Sequence, residues 1–267
     1  MSLSDNFAPT PPPAPPAGHN LLEGKVVIVT AAAGTGIGMA TAQRCLDEGA
    51  EVVISDAHER RMLETQAELA QASGREVLAV RCDVTVEDDV QHLFDATVER
   101  WGRVDVAVNN AGLGGTTPII EMTDEQWFKV LDVTLTGTFR CTRAAMTRMT
   151  AQGSGVIVNN ASVLGWRAQP GQAHYAAAKA GVMALTRCAA AEAAPFGIRV
   201  NAIAPSLAEH PFLNRVISDE DLAILRNREL LHRGAEVWEV ANVVAFLASG
   251  YSSYLSGETI SVSSQHA

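Results

Sequence analysis

The chain has 267 residues, 47% of them hydrophobic and 19% charged, which is the composition of a soluble globular protein with one large core. No uninterrupted apolar run approaches the roughly 18 residues of a membrane-spanning helix, so an integral membrane protein is excluded. The formal net charge of −10 disfavours nonspecific binding of nucleic acids, which depends on cationic side chains that neutralise phosphates.

The chain begins with a proline-rich tail, MSLSDNFAPTPPPAPPAGHN, over residues 1–20. This segment lacks the basic start and apolar centre of a secretory signal. It can bury too little apolar surface to offset the entropy lost on ordering, so we expect disorder up to about residue 20. A passive tail is favoured over a ligand for a proline-recognising partner.

From residue 21 onward, short β-branched runs alternate with longer helical patterns. The predicted strands are KVVIVT, EVVIS, EVLAVR, RVDVAVNN, GVIVNN and IRVNAIAP, in chain order. Strands and helices that alternate in this way form right-handed βαβ units on a parallel sheet. We predict an α/β fold of the Rossmann type: a doubly wound parallel sheet of about seven strands in a three-layer αβα sandwich, as a single domain over residues 21–267.

The alternation breaks after Pro205, where the stretch SLAEHPFLNRVISDEDLAILRNRELLHRG contains amphipathic pieces without a clear strand. An insertion beyond the carboxyl end of a strand lies where ligands bind in open α/β sheets. We interpret residues 206–232 as a substrate lid, with a surface helical hairpin as the alternative. The closing helix and strand, EVWEVANVVAFLASGYSSYLSGETISVS, are apolar enough to suggest a subunit interface.

The four cysteines are widely separated and show no CxxC or Cys/His spacing typical of a metal site. Each falls within a predicted strand or helix: Cys45, Cys82, Cys141 and Cys188. We therefore expect buried, reduced thiols, no bound metal and a cytoplasmic protein.

The stretch TAAAGTGIG, residues 30–38, joins the first strand to the first helix. Its glycines let backbone N–H groups approach a pyrophosphate at a helix N-terminus, which carries partial positive charge. Asp56 ends the second strand, where a carboxylate accepts hydrogen bonds from ribose hydroxyls and repels a 2′-phosphate, which favours NAD over NADP. Asp56 also suits a helix N-cap. Arg60 and Arg61 could reach a phosphate, although solvated positions on a helix are favoured for both.

Three polar residues lie together in the pattern SVLGWRAQPGQAHYAAAKAG. Tyr175 and Lys179 are four residues apart on a predicted helix and share a face, and Ser162 precedes Tyr175 by thirteen residues, at the end of a strand. A phenol is a poor base at neutral pH, but a nearby ammonium favours the phenolate. Together the three residues indicate proton transfer to or from a substrate oxygen during hydride transfer, rather than a surface Tyr–Lys pair.

Further motifs accompany these residues: CDV at 82–84, NNAG at 109–112 and NAIAP at 201–205. From about residue 24 to residue 263, the sequence resembles the short-chain dehydrogenase/reductase superfamily. The resemblance implies a homotetrameric NAD(P)-dependent oxidoreductase in which Tyr175 is the acid/base, Ser162 orients the substrate and Lys179 lowers the Tyr175 pKa.

The resemblance also implies a cofactor site. Its expected residues belong to the glycine-rich turn, the ends of the second and third strands, NNAG, the Tyr–Lys pair and the end of the sixth strand: Ala32, Gly34, Gly36, Ile37, Gly38, Asp56, Asp83, Val84, Asn110, Ala111, Gly112, Tyr175, Lys179 and Pro205.

The sequence departs from the family pattern at three places. Ala31 replaces the first glycine of the usual TGxxxGxG, and one extra residue precedes Gly36, which implies a wider pyrophosphate loop. Thr134 replaces the usual asparagine of the catalytic tetrad, so that its hydroxyl would have to hold the relay water. His210 stands where a threonine usually contacts the nicotinamide; a solvated side chain is slightly favoured for it.

The chain is also similar to an actinobacterial subgroup of this superfamily that acts in degradation of the steroid C and D rings. That subgroup interconverts a hydroxyl and a ketone on a bicyclic hydroindanone carrying a CoA thioester. The resemblance implies an apolar substrate pocket formed by Leu113, Gly114, Trp166, Leu207 and Phe212, against ordinary packing as the alternative. Cations that could meet CoA phosphates, or could simply be solvated, are Arg167, Arg215, Arg226 and Arg228.

Two other functions stay open. A 3-oxoacyl thioester reductase shares the same catalytic residues, but such biosynthetic enzymes tend to use NADPH, against which Asp56 argues. A nucleotide-sensing protein without activity would fit the replacement at Thr134, yet Ser162, Tyr175 and Lys179 are all present.

Overall fold

The computed structural model describes residues 9–211, 213 and 218–264. The strands are β1 (Val26–Thr30), β2 (Glu51–Asp56), β3 (Val77–Arg81), β4 (Val106–Asn109), β5 (Gly155–Asn160), β6 (Ile198–Pro205), β7 (Ala208–Glu209), β8 (Ala235–Glu236) and β9 (Thr259–Val262). The helices are α1 (Ile37–Asp47), α2 (Glu59–Ser73), α3 (Glu87–Trp101), α4 (Asp124–Leu131), α5 (Gly137–Gln152), α6 (Ala173–Ala193), α7 (Asp219–Arg228) and α8 (Val237–Ala248).

The main sheet is parallel throughout. Within the described residues it has seven strands in the order β3-β2-β1-β4-β5-β6-β9. The chain winds outward from β1 in one direction and returns to β4 on its other side, so the direction of winding reverses between these two strands. Ligands of such sheets bind at the carboxyl edge beside this reversal. The predicted Rossmann-type fold is confirmed.

Helices cover both faces of the sheet because successive strand residues point to opposite sides. In β1, Val27 and Val29 pack into a cluster with α1, α2 and α8, whereas Ile28 packs into a second cluster with α3, α5 and α6. The strands are therefore apolar on both faces, as expected for a parallel sheet between two helical layers. This rigid core holds the strand ends from which the polar residues project.

A long helical segment runs from α4 into α5 through a π-helical turn over Asp132–Thr136. It begins with a capping box in which Thr123 and Gln126 exchange side-chain to backbone hydrogen bonds. It ends at Gly153, whose φ of +70° provides the left-handed cap. The π-helical turn places Thr134 at the centre of the sheet edge.

The proline-rich tail has defined contacts over residues 9–20. The buried Arg44 on α1 donates hydrogen bonds to the carbonyls of Pro16 and Ala17, and the buried Glu48 accepts one from the His19 amide. Gly18 lies so close to α1 that a Cβ there would meet the Asp47 carbonyl oxygen at 1.9 Å. Sequence composition indicates disorder for this segment; the hydrogen bonds to a buried ion pair are a tertiary feature that composition does not report.

The region predicted as a lid contains β7, α7 and the turn that leads to β8. β7 pairs in parallel with β8, and the Arg226 guanidinium forms an ion pair with Glu209. α7 is anchored by Leu222, which is 1% exposed. Phe212 and Arg215 lie outside the described residues.

Three of the four cysteines are buried free thiols, as predicted, but Cys188 is exposed on α6, so the prediction is wrong for that residue. Among the described residues, no group of three or more His, Cys, Asp or Glu side chains is placed to hold a metal ion. None of the helices in residues 9–211 and 218–264 combines the length and apolar character needed to cross a bilayer.

Candidate active site

An open cleft of about 420 Å³ lies at the carboxyl edge of the sheet, beside the reversal between β1 and β4. Its walls come from the start of α1, the loop after β4, the end of β5, the start of α6 and the segment after β6. The lining residues are Ile37, Asn110, Gly112, Gly114, Gly115, Asn160, Gln172, Tyr175, Lys179, Ser206, Leu207, Ala208, His210 and Leu213.

Tyr175 lines this cleft, and the buried Ser162 lies against it. Ser162 follows β5 and caps a short 3₁₀ turn, where its hydroxyl accepts a hydrogen bond from the Leu164 amide at 3.2 Å. Tyr175 lies in the first turn of α6 and is hydrogen-bonded to Ser162. Burial raises the pKa of Tyr175 above its usual value, and the hydrogen bond to Ser162 opposes this rise. The hydrogen bond places the two hydroxyls side by side.

Lys179 lies one helical turn beyond Tyr175 and is 2% exposed. Its Nζ is 5.5 Å from the centre of the Tyr175 ring and donates a hydrogen bond of 2.5 Å to the carbonyl of Asn160. Burial lowers the pKa of Lys179 to about 7. A Cβ at Gly112 would lie 3.3 Å from this Nζ, so the loop after β4 closes tightly over the amine. Burial thus makes the phenol of Tyr175 a weaker acid. It also favours the neutral form of the Lys179 amine, whose positive charge was expected to make the phenol more acidic.

Thr134 is buried in the π-helical turn, opposite the same loop. Its hydroxyl accepts a hydrogen bond from the Leu113 amide at 2.9 Å and donates one to the Leu113 carbonyl at 3.1 Å. The single hydroxyl proton is therefore used on the loop and is not available to a water of a proton relay.

The glycine-rich turn has a left-handed backbone conformation at Ala31, which a glycine would favour. Ala31 has a φ of +50°, in the left-handed region, and its carbonyl accepts a hydrogen bond from Asn110 Nδ2 at 3.0 Å. A Cβ at Gly38 would lie 2.3 Å from the Ala31 oxygen, so α1 starts directly against the turn. In contrast, a Cβ at Gly34 or Gly36 would meet no atom within 4 Å.

Asp56 stands at the end of β2 beside this turn. Its carboxylate accepts hydrogen bonds from the amides of Ala33, at 3.3 Å, and His58, at 2.9 Å. The N-cap of α2 is His58, so Asp56 is not itself the cap. Arg60 is exposed and paired with Glu64, in agreement with a solvated side chain.

The remaining predicted cofactor residues lie on three parts of the sheet edge. Ala32 is fully buried behind the turn, and the amides of Asn110 and Ala111 both donate to the Thr30 hydroxyl, at 3.0 and 3.1 Å. Pro205 ends β6 next to the cleft. Asp83 and Val84 follow β3, outside the cleft lining; Asp83 accepts hydrogen bonds from Thr85, and Val84 packs against Gly137.

The predicted substrate residues are divided by the structure. Gly114 and Leu207 line the cleft. Leu113 is half-buried and is held through its backbone by Thr134. Trp166 is 53% exposed and does not line the cleft. The prediction for Phe212 falls outside the described residues.

Several cleft residues were not singled out by the sequence pattern, among them Asn160, Gln172 and Leu213. His210 was expected to be solvated, but it is half-buried in the cleft wall, and burial lowers its pKa. The buried His174 lies beside Tyr175 and accepts a hydrogen bond from the Tyr175 amide at 2.9 Å. One signal could have indicated Asn160: the tetrapeptide VNNA occurs at 108–111 and again at 158–161.

Comparisons with known proteins show the family of this chain. A family profile described as "Enoyl-(Acyl carrier protein) reductase" matches residues 31–264. The crystal structure of a short chain dehydrogenase from Mycobacterium smegmatis superposes with a TM-score of 0.85 at 57% identity, and the match covers 96% of this chain and 98% of that one. The chain belongs to the short-chain dehydrogenase/reductase family.

Relatives of this short-chain dehydrogenase/reductase include proteins named for specific reactions. It is 63% identical over 251 residues to the (5R,7aS)-5-hydroxy-7a-methyl-1-oxo-2,3,5,6,7,7a-hexahydro-1H-indene-carboxyl-CoA reductase of Mycobacterium tuberculosis. The aligned region covers 94% of this chain and 96% of that protein. It is 37% identical over 238 residues to a 3-oxoacyl-[acyl-carrier-protein] reductase of Staphylococcus epidermidis, with 89% and 97% covered. The predicted family and the oxidoreductase class are confirmed.

Short-chain dehydrogenases use NAD(P). The glycine-rich turn of this short-chain dehydrogenase/reductase fits such a dinucleotide, because the open space beside Gly34 and Gly36 lies at the N-terminus of α1. The Oδ1 atom of Asn160, at the cleft, is buried and accepts no hydrogen bond from the described residues. These features agree with a ligand that follows the edge of the sheet from the turn to Tyr175.

Proposed function

We propose that this chain is an NAD-dependent oxidoreductase that interconverts a secondary alcohol and a ketone on a bicyclic hydroindanone carrying a CoA thioester. The reaction type is supported by Tyr175 and Lys179, which line one cleft, and by the hydrogen bond between Tyr175 and Ser162. The substrate is supported by the 63% identity, over nearly the whole chain, with a reductase named for such a thioester.

In the proposed reaction, Ser162 and Tyr175 hold the substrate oxygen by two hydrogen bonds. In the direction of reduction Tyr175 donates its phenolic proton to the oxygen of the ketone, and in the direction of oxidation it takes the proton of the alcohol. A bound nicotinamide supplies the hydride or receives it. Lys179, 5.5 Å from the ring, places an ammonium beside the phenol when it is protonated and so favours the phenolate form.

We assign the dinucleotide to the edge that runs from the glycine-rich turn to Lys179. The Gly34 amide already donates to the Thr65 hydroxyl, so the backbone amides that would face the pyrophosphate are those at the start of α1, next to Gly36. The Asp56 carboxylate would accept hydrogen bonds from the ribose hydroxyls. Each oxygen of Asp56 accepts one backbone hydrogen bond and keeps a further lone pair for this purpose. Its negative charge repels a 2′-phosphate, which is the reason to propose NAD over NADP.

The apolar part of the substrate would contact Leu207 and Leu213, which follow β6 and line the same cleft as Tyr175. His210 stands between them in sequence, and we propose that it offers a polar contact to the bound ligands. Trp166 and Arg167 continue the loop that follows Ser162, so they are placed for the outer part of a long thioester.

A 3-oxoacyl thioester reductase is the second candidate, favoured by the relative of that name at 37% identity. It differs from the first in both cofactor and substrate, which allows one experiment to separate them. Purified protein is titrated with NADH and NADPH by fluorescence, and then tested for turnover of a hydroindanone CoA thioester and of acetoacetyl-CoA. Tighter NADH binding with turnover of the bicyclic thioester supports the proposal, whereas preference for NADPH with turnover of acetoacetyl-CoA would replace it.

A further inference from the structure

The repeated tetrapeptide VNNA places two pairs of asparagines side by side. It occurs at the carboxyl ends of β4 and β5, which are neighbours in the sheet with Asn109 in register with Asn159. Because successive side chains point to opposite faces, one amide of each dipeptide lies on each face of the sheet. Asn109 Nδ2 donates to Asn159 Oδ1 at 2.8 Å, and Asn160 Nδ2 donates to Asn110 Oδ1 at 2.9 Å.

The first pair belongs to the packed core. Asn109 also donates to the Thr142 hydroxyl of α5, and Asn159 donates to the Thr186 hydroxyl of α6. All four side chains are buried, so this pair joins the sheet to two helices. The second pair, Asn110 and Asn160, lines the cleft instead.

The orientation of the second pair follows from its partners. Asn110 Nδ2 donates to the carbonyls of Thr30, at 3.1 Å, and Ala31, at 3.0 Å. Carbonyl oxygens only accept hydrogen bonds, so Asn110 must direct its NH₂ group at these two carbonyls and its side-chain oxygen at Asn160. Asn160 must then donate to that oxygen through its own NH₂ group. A chain of hydrogen bonds thus runs from Asn160 through Asn110 to the glycine-rich turn.

This series of hydrogen bonds ends at Ala31, a residue with an unfavourable backbone conformation. Ala31 has a φ of +50°, which an L-residue with a Cβ adopts at a cost that glycine does not have. The Ala31 oxygen is held between Asn110 and the start of α1, where a Cβ at Gly38 would overlap it. A hydrogen bond to that oxygen therefore favours the shape of the whole turn.

We propose that Asn160 is a positioning residue for the dinucleotide, acting through Asn110 to hold Ala31 in its left-handed conformation and the turn over residues 31–38 in its binding shape. The inference rests on the proposed dinucleotide-dependent function. The backbone carbonyl of Asn160 also accepts the hydrogen bond of Lys179. The same residue therefore contacts the catalytic amine directly and the glycine-rich turn through Asn110.

The amide at position 160 has a folding cost that a purely structural residue would not need. Its Oδ1 is buried without a hydrogen-bond partner among the described residues. An unsatisfied buried acceptor destabilises the folded state, whereas an aliphatic side chain of similar size does not. The variant Asn160→Leu removes this cost but leaves Asn110 Oδ1 without the hydrogen bond that Asn160 donates. The two effects oppose each other, so the variant is expected to fold with a melting temperature close to that of the parent.

The test compares the parent, Asn160→Leu, Ala31→Gly and the double variant in the full-length protein. The dissociation constant for NADH is measured by fluorescence titration and the melting temperature by calorimetry. Asn160→Leu is expected to weaken NADH binding about tenfold, the effect of losing one well-placed hydrogen bond. Ala31→Gly adopts the left-handed turn without the strain of a Cβ, so in the double variant it is expected to recover most of the lost affinity.

Each outcome bears on the inference. Unchanged NADH affinity in Asn160→Leu overturns it, as does weakened affinity that Ala31→Gly does not recover, because Asn160 would then act on the ligand by another route. Should Asn160→Leu not yield folded protein, Asn160→Ala, which introduces no extra volume, is tested in the same two backgrounds. A parent that binds neither NADH nor NADPH contradicts the proposed function itself, which separates the two failures.

Discussion

The hydroxyl of Thr134 forms two hydrogen bonds with one residue, accepting from the amide of Leu113 and donating to its carbonyl. This contact fastens the loop after β4 over Lys179, since Gly112 of the same loop lies against the Lys179 amine. The replacement of the usual asparagine therefore leaves a tightly held loop. It gives no structural reason to expect an inactive, nucleotide-sensing protein.

Replacing Thr134 by valine tests this contact. Thr134→Val keeps the shape but leaves the NH and CO groups of the half-buried Leu113 without their partner, at a cost of about 0.5–1.5 kcal/mol for each hydrogen bond. We expect turnover to fall about tenfold or more, and Thr134→Ser, which keeps the hydroxyl, to retain most of it. Steady-state kinetics of both variants check this. A large gain of activity in Thr134→Asn would instead show that threonine impairs the site.

The role of Tyr175 is tested by removing its hydroxyl. Tyr175→Phe is expected to bind NADH as the parent does, but to lose turnover by about 10²–10⁴-fold, because the proton donor to the substrate oxygen is absent. The matched control is Tyr254→Phe, since Tyr254 is 99% exposed. Retained turnover in Tyr175→Phe would place the acid/base elsewhere.

Burial of Lys179 makes stability depend on pH in a defined direction. The pKa of this group is lowered from 10.5 to about 7 in the folded protein, so between these two values the unfolded chain binds more protons than the native one. The cost of burying the charge is fully present below pH 7 and disappears as pH rises toward 10.5. Lys179→Met, which removes the charge, should therefore stabilise the fold by an amount on the order of a few kcal/mol at low pH.

The measurement is urea unfolding of the parent and Lys179→Met at about pH 6 and about pH 9, each without dinucleotide. The stability difference between the two proteins is expected to shrink at the higher pH. A difference of the same size at both values would mean that Lys179 is not titrating in this range.

Asp56 is expected to set the choice of dinucleotide. Asp56→Ala removes the charge that repels a 2′-phosphate and should reduce the preference for NADH over NADPH about tenfold. Asp56→Asn is the matched comparison, because it removes the charge and keeps the size of the side chain, with one oxygen that can accept from the amide of either Ala33 or His58. Unchanged selectivity in both variants would show that Asp56 does not face the ribose.

Much of the protein could be predicted from local patterns. The alternation of β-branched runs with helical ones determined the parallel sheet, because each pattern reflects which face of a short segment is buried. The four-residue spacing of Tyr175 and Lys179 placed them on one side of α6, since helix geometry is regular. Ser162, Asp56 and the glycine-rich turn were found in the same way, each at the carboxyl end of a strand.

Other features were decided only by the tertiary structure, because they depend on residues far apart in the chain. Asn160 donates a hydrogen bond to Asn110, fifty residues away, and His210, which directly follows β7, lines the cleft. Trp166 was predicted to line the pocket but is exposed outside it. The tail residues that composition assigned to disorder meet Arg44 and Glu48.

The division has a physical reason. Backbone hydrogen bonding and the burial of one face repeat with a short period, so local patterns are enough to predict the order of the strands and helices and the residues near their ends. Hydrogen bonds between side chains on different elements follow no such period. They arise only when the sheet is assembled: Asn110 binds both Ala31 and Asn160, Thr134 binds Leu113, and side chains from separate elements share the cleft with Tyr175.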